Sequence, residues 1–232
     1  MIFDTSIAEL LVRVPVVLFA LTIHEFMHGW TAYRCGDDTA QQAGRLTLNP
    51  LAHLDLVGTI ALMIAPIGWA KPVPVNPANF GRPRRDNILV SVAGVAANFG
   101  VAAAAGLLAR VLALFGLGVR SMPGGVLWSM LGWAIFLNFG LFVFNLLPIP
   151  PLDGSHVLEE LLPWRLRDSY RSLRRYGVVL LLIVVLGSNF LAGRLGFNPL
   201  FLPVYLLARL FAGDAAIDEV FRGFAVLAGG NI

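Results

Sequence analysis

The sequence predicts an all-α, multi-pass membrane protein with about five to six membrane helices. A re-entrant segment is expected between the first and second full spans, and a proline-broken helix late in the chain. Three observations predict this. Of the 232 residues, 57% are apolar and only 13% charged, against about 25% charged in soluble domains. Apolar stretches at about 14–33, 87–117, 126–147, 177–192 and 197–212 match or approach the roughly 20 residues needed to cross a bilayer as helix. Finally, His24-Glu25-Phe26-Met27-His28 lies inside the first of these stretches, where two histidines and a carboxylate are rare without a function.

The first stretch, Val14 to Tyr33, has no basic region or small-residue cleavage pattern before it, so it reads as a retained span and not a signal peptide. A sixth apolar stretch, 56–70, is short and holds Pro66 and Gly68. After it, Lys71-Pro72-Val73-Pro74-Val75-Asn76-Pro77 alternates prolines, which favours extended backbone. The last two stretches are separated by Gly193, Gly196 and Pro199 and read as two spans or a hairpin that crosses in part. No internal repeat or low-complexity segment is visible. One cysteine, Cys35, excludes an internal disulfide, and at a helix end it reads as a small packing residue.

Charge sets the orientation. The net charge of +3 is no nucleic-acid signature. Nine of the 17 basic residues gather in two loops, Lys71, Arg82, Arg84 and Arg85 in one, and Arg165, Arg167, Arg171, Arg174 and Arg175 in the other. Both loops are expected on the cytoplasmic side.

Histidines four residues apart share one helix face and can bind one zinc ion, and the glutamate beside the first is placed to take a proton from water activated there. Catalytic zinc uses three protein ligands and keeps one position open. The third candidate is Asp153, in Phe144-Asn145-Leu146-Leu147-Pro148-Ile149-Pro150-Pro151-Leu152-Asp153-Gly154. Three prolines there break the helix, and broken backbone at membrane depth is tolerated where it lines a cavity. On spacing alone, Asp153 reads equally as a metal ligand or as the N-cap of the helix beginning near Ser155. If it is the ligand, the ends of the first and the 126–147 helices meet at one face. That requires 56–70 to be re-entrant and the N-terminus to be non-cytoplasmic. At about 1.5 Å rise per residue, His28 is then roughly 8 Å from the cytoplasmic end near Tyr33, and His24 roughly 13 Å.

An HExxH within a membrane helix, followed far downstream by Asn145-Leu146-Leu147-Pro148-Ile149-Pro150-Pro151-Leu152-Asp153-Gly154, resembles the site-2 protease family of intramembrane zinc metalloproteases. The resemblance covers roughly residues 14–165. Leu48-Asn49-Pro50-Leu51-Ala52-His53-Leu54-Asp55 leading to Gly58-Thr59, and Gly68-Trp69-Ala70-Lys71-Pro72-Val73-Pro74-Val75-Asn76-Pro77, are similar to its compact bacterial branch. Ala93-Gly94-Val95-Ala96-Ala97-Asn98 is similar to the family's small-residue and asparagine pattern.

The resemblance implies one Zn2+ per chain bound by His24, His28 and Asp153, with Glu25 as general base and later proton donor. It implies that Asn145 holds the substrate strand or the developing oxyanion, with Asn98 a lesser candidate for similar work. As a non-catalytic alternative, either asparagine bonds between helices. His53 is a further polar or metal-binding group, or an ordinary loop histidine. The implied protein is one membrane-embedded metalloprotease domain over 1–232, with its catalytic core at about 14–165 and C-terminal helices at about 177–212. It would sit in a bacterial plasma membrane, cleave transmembrane protein substrates and bind no nucleic acid. Unlike many members, the chain has no room for an inserted PDZ domain. Segment 71–80 is a candidate for pairing with substrate as an added strand. The competing readings are a silent membrane scaffold, which an intact Glu25 argues against, and a metal transporter, which the lack of an inverted repeat argues against.

Overall fold

A computed structural model describes residues 7–55, 58, 70–119 and 124–228. The described chain is helical: α1 (Ile7–Arg34), α2 (Thr39–Gln42), α3 (Pro83–Leu114), α4 (Gly124–Asn145), α5 (Asp153–Leu161), α6 (Trp164–Ser172), α7 (Gly177–Leu195), α8 (Phe201–Ala212) and α9 (Asp214–Leu227). Short 3-10 turns form at Pro50–His53, Pro77–Asn79 and Leu173–Tyr176. The re-entrant segment expected at 56–70 lies almost wholly outside the described residues.

Among the described residues, four helical runs are long and apolar enough to cross a membrane: α1, α3, α4 and the continuous run Trp164–Leu195. The protein is therefore an all-helical membrane protein. α1 is helical from Ile7, earlier than the apolar stretch suggests, because Ala8, Glu9, Leu10, Leu11 and Arg13 are good helix formers and Pro15 is accommodated within the helix. The stretch expected at 197–212 yields only α8, whose 12 residues reach about 18 Å, short of the roughly 30 Å hydrocarbon core. The helix expected from Ser155 is α5, and the basic segment after it, read as loop, is also mostly helix (α6 and the 173–176 turn). Its only interior breaker is Pro163, at the α5–α6 boundary, and charge alone does not break a helix.

α3 is the axis of the fold, packing against α1, α4, α5, α8 and α9. Its C-terminal half joins α4, α8 and α9 in the main core, where Ala102, Ala109, Ala208, Ala212 and Ala216 let backbones approach closely around Trp128, Ile135 and Phe139. α9 is an amphipathic helix that the hydropathy pattern does not single out; it buries Ile217 and Val220 in this core. α7 presents apolar side chains outward, among them Val178, Leu182, Ile183, Leu186 and Phe190, the surface expected of a helix facing lipid. The first half of α3 packs on α1 and builds the site.

Candidate metal centre

α1 carries His24 and His28 one turn apart on its buried face. Their rings meet edge to face with centroids 4.5 Å apart, and the two Nε2 atoms are 2.9 Å apart. Asp153 Oδ2 completes a triangle, 3.1 Å from His24 Nε2 and 3.4 Å from His28 Nε2.

The far side of each ring fixes what its Nε2 offers. His28 Nδ1 lies 2.7 Å from the Val90 carbonyl oxygen of α3. A carbonyl only accepts, so Nδ1 carries the proton and Nε2 presents a lone pair. His24 Nδ1 lies 2.6 Å from Asn98 Oδ1. The Asn98 amide donates to the Ala20 carbonyl at 3.1 Å and to Asn138 Oδ1 at 2.8 Å. With both amide protons spent, Asn98 meets His24 with its oxygen, and His24 likewise aims a lone pair inward. Gly94 of α3 lies against both rings: a Cβ there would stand 2.5 Å from His28 Nε2 and 2.9 Å from His24 Cε1.

Asp153 arrives through the proline break. α4 ends at Asn145, and Leu146 to Leu152 turn the chain so that α5 opens at Asp153. Gly154 is required because a Cβ there would overlap the Leu146 carbonyl oxygen and stand 2.7 Å from that of Leu147. Leu152 takes the N-cap position of α5 and Asp153 is its first residue, and the Asp153 carboxylate lies against His24 and His28. Of the two readings left open by spacing, the cap is therefore not the one adopted: the carboxylate points into the histidine pair. α5 is held by ion pairs. Glu159 accepts from Arg171 Nε at 2.7 Å and from Arg174 Nη2 at 2.6 Å, and Glu160 pairs with Arg167 at 3.2 Å while accepting from Asn87 at 3.0 Å. Burial alone would raise the Glu159 pKa, but the hydrogen bond from Arg171 and the charge of Arg174 outweigh it and hold the carboxyl below its ordinary value.

Glu25 accepts the Val73 backbone N–H at 2.8 Å, which brings the extended segment 71–76 beside the HExxH turn. This segment is pinned along its length. Lys71 N–H donates to the His53 carbonyl at 2.9 Å, Arg45 donates to the Lys71 carbonyl at 2.7 Å, and fully buried Asp37 accepts from Asn76 N–H at 2.7 Å and Asn79 Nδ2 at 2.8 Å. Burial would raise the Asp37 pKa, yet the hydrogen bonds from Thr39, Asn76 and Asn79 overcome it and lower the value.

The other residues singled out from sequence fall outside the triangle. His53 is buried, its Nε2 2.8 Å from the Thr47 carbonyl oxygen. It braces the loop. Asn145, at the end of α4, donates to the Leu141 carbonyl of its own helix at 3.0 Å. Asn98 has no exposed surface, and both its amide protons are spent on Ala20 and Asn138. Cys35 sits where α1 meets the following turn, its backbone N–H bonded back to Thr31 at 3.0 Å, and burial raises its thiol pKa. Asn138, fully buried in α4, was not picked out from sequence. A lone asparagine within Phe136-Leu137-Asn138-Phe139 forms no motif, and its cost in an apolar helix is the one available signal.

The three converging atoms fit a zinc ion. Two lone-pair nitrogens and a carboxylate oxygen repel one another unless a cation or proton lies between them, and Asp153 Oδ2 is buried with no hydrogen-bond donor facing it. Tetrahedral zinc with bonds of about 2.0–2.1 Å holds its ligand atoms about 3.3 Å apart, close to the separations found. Among the described residues, this is the group of histidine and acidic side chains whose ligand atoms come close enough to hold a metal ion.

The sequence profile of Peptidase family M50 matches residues 119–186. The protein named "Putative zinc metalloprotease YwhC" from Bacillus subtilis is 40% identical over 182 residues, 78% of this chain and 82% of that one. The proteins named "Putative zinc metalloprotease Rip2" from Mycolicibacterium smegmatis and Mycobacterium tuberculosis are 32% and 35% identical, covering 73% and 74% of this chain and 64% and 65% of theirs. No solved structure matches. The protein belongs to peptidase family M50, the site-2 protease family, and is a zinc metalloprotease of the membrane.

Proposed function

We propose that the protein is an intramembrane protease that hydrolyses peptide bonds within the transmembrane segments of membrane protein substrates, acting in regulated intramembrane proteolysis. One zinc ion per chain is held by His24, His28 and Asp153. The observation that carries this reading is the meeting of those three ligand atoms within the span of an apolar helix, where a substrate helix and not a soluble loop would reach them. Zinc supplies Lewis acidity there, lowering the pKa of water and offsetting negative charge on the carbonyl oxygen.

The chain's own groups handle the proton. Glu25 takes it from the attacking water as the water oxygen bonds to the carbonyl carbon, and returns it to the amide nitrogen as the C–N bond breaks. The Val73 N–H occupies one Glu25 oxygen and leaves the other for this transfer. Asn145 is assigned to the substrate strand or the developing oxyanion. A substrate must unwind to be cut, because a helical peptide bond is covered and hydrogen-bonded, and the extended 71–76 backbone beside Glu25 offers an edge to receive it. The positive-inside pattern of Lys71, Arg82, Arg84, Arg85 and the 165–175 arginines favours the cytoplasmic side for both basic segments; the meeting of His24, His28 and Asp153 at one face then calls for a re-entrant 56–70, an N-terminus outside and an active site opening to the cytoplasm.

The test is cleavage of a panel of single-span membrane peptides by purified protein in detergent, with zinc content measured for wild type and Glu25→Gln. Zinc in both and cleavage by wild type alone is the expected result. Zinc in both with no cleavage of any peptide favours a non-catalytic binding protein. A wild type that cannot be loaded with zinc refutes the ligand assignment.

A further inference from the structure

Asn138 reaches the metal centre only through Asn98 and His24, yet the polarity of the centre traces back to it. Its Nδ2 donates to the Ala134 carbonyl of its own helix at 2.8 Å. Its Oδ1 accepts from Asn98 Nδ2 at 2.8 Å. Asn98 spends its other proton on the Ala20 carbonyl at 3.1 Å and turns Oδ1 to His24 Nδ1 at 2.6 Å. Both asparagines have no exposed surface. The chain therefore runs from α4 through α3 to α1 between two backbone carbonyls that can only accept.

Its direction has a chemical consequence. Reversing both amides would set Asn138 Oδ1 against the Ala134 carbonyl oxygen and Asn98 Oδ1 against that of Ala20, leaving two buried oxygen–oxygen confrontations. It would also present an N–H to His24 Nδ1. The imidazole proton would then move to Nε2, which faces the cluster, and the lone pair needed for a metal would be lost.

We propose that Asn138 is a positioning residue for the metal centre: it fixes the orientation of the Asn98 amide and so directs the lone pair of His24 Nε2 toward His28 and Asp153. The proposal rests on the reading of His24 as a zinc ligand. Outer-shell partners of ligating histidines hold ring and tautomer in this way, and losing one typically weakens metal binding 10- to 100-fold.

A double-mutant cycle read by metal binding separates this role from plain interhelical bonding. Co(II) affinity is measured by chelator competition, together with the Co(II) d–d absorption spectrum and thermal unfolding, for wild type, Asn138→Leu, Asn98→Asp and the double variant. Asn138→Leu, one step beyond the direct partner of His24, is expected to bind Co(II) up to about 10-fold more weakly with an altered spectrum. Asn98→Asp cannot present a donor to His24, so residue 138 no longer has an orientation to fix. In that background Asn138→Leu should cause no further loss, and a gain would follow from removing the oxygen that opposes the new carboxylate. Equal loss in both backgrounds, or wild-type affinity and spectrum in Asn138→Leu, overturns the proposal. If Asn138→Leu cannot be purified folded, Asn138→Ala is read by the same criteria. A wild type that takes up no Co(II) instead overturns the ligand assignment itself.

Discussion

Replacing Gly94 with alanine should disable metal binding without touching a ligand. The added Cβ would stand 2.5 Å from His28 Nε2, 2.8 Å from His28 Cε1 and 2.9 Å from His24 Cε1, where about 3.5–4.0 Å is comfortable. Both rings would have to recede by about 1 Å. Neither can do so freely, because each is tied on its far side, His28 to the Val90 carbonyl and His24 to Asn98. Overpacking of this kind costs about 1–3 kcal/mol, and at about 1.4 kcal/mol per tenfold that is roughly 5- to 150-fold in metal affinity if the strain falls on the ligands. Gly100, on the same helix, is the control. A Cβ there meets nothing within 4 Å, and alanine is the better helix former by about 0.8–1.0 kcal/mol, so Gly100→Ala should bind metal as wild type does and melt no lower. The assay is zinc competition against a chromophoric chelator, with thermal unfolding in the same detergent. Wild-type zinc affinity in Gly94→Ala would refute the argument that the rings are clamped between α3 and their hydrogen-bond partners.

Three other outcomes are expected. Gly154→Ala should displace α5, because the Leu146 backbone cannot yield; the purified protein should then hold well under one zinc per chain, by elemental analysis, while a Gly193→Ala control, open at its Cβ, stays loaded. Glu159, with its pKa lowered in the fold, stabilises above its unfolded pKa of about 4.3, and that stability is lost as pH falls through the folded value; wild type should thus lose melting temperature on acidification below about pH 4.3 more steeply than Glu159→Gln. Asp37→Ala removes the acceptor for Asn76 and Asn79; a loss of about 1.5–3 kcal/mol in stability is expected, with cleavage reduced and zinc content unchanged, measured by thermal unfolding and peptide assay.

How much of this was legible in sequence depended on how local each constraint is. His24 and His28 sit one turn apart on a single helix, so spacing alone placed them together. Asp153 was ambiguous because cap and ligand differ only in where one carboxylate points, and that is decided by the turn from Leu146 to Leu152 and the close approach at Gly154. Asn98 was legible as a possible link between helices, but its partners were not, since His24, Ala20 and Asn138 lie on other helices. α9 escaped because an amphipathic helix with four charged residues in 14 gives no hydropathy peak, although Ile217, Val220 and Phe224 recur at helical spacing. The 164–176 arginines were taken for loop because charge was weighed above the absence of breakers.

The central position of α3 has a consequence for how this chain can be edited. Val90, Gly94 and Asn98 on its first half serve the metal centre, while Ala102 and Ala109 on its second half are covered by α4, α8 and α9. One rigid rod thus reports to both ends of the molecule. A chain cut after residue 165 would keep every proposed ligand, yet leave an alanine-lined flank of that rod bare to lipid, with no bulk to fill the gap. The helices beyond residue 165 therefore splint the site twice, through Arg167, Arg171 and Arg174 on α5 and through α8 and α9 on the far flank of α3, and a trimmed version would need new partners for Glu159 and Glu160 as well as larger side chains along that flank.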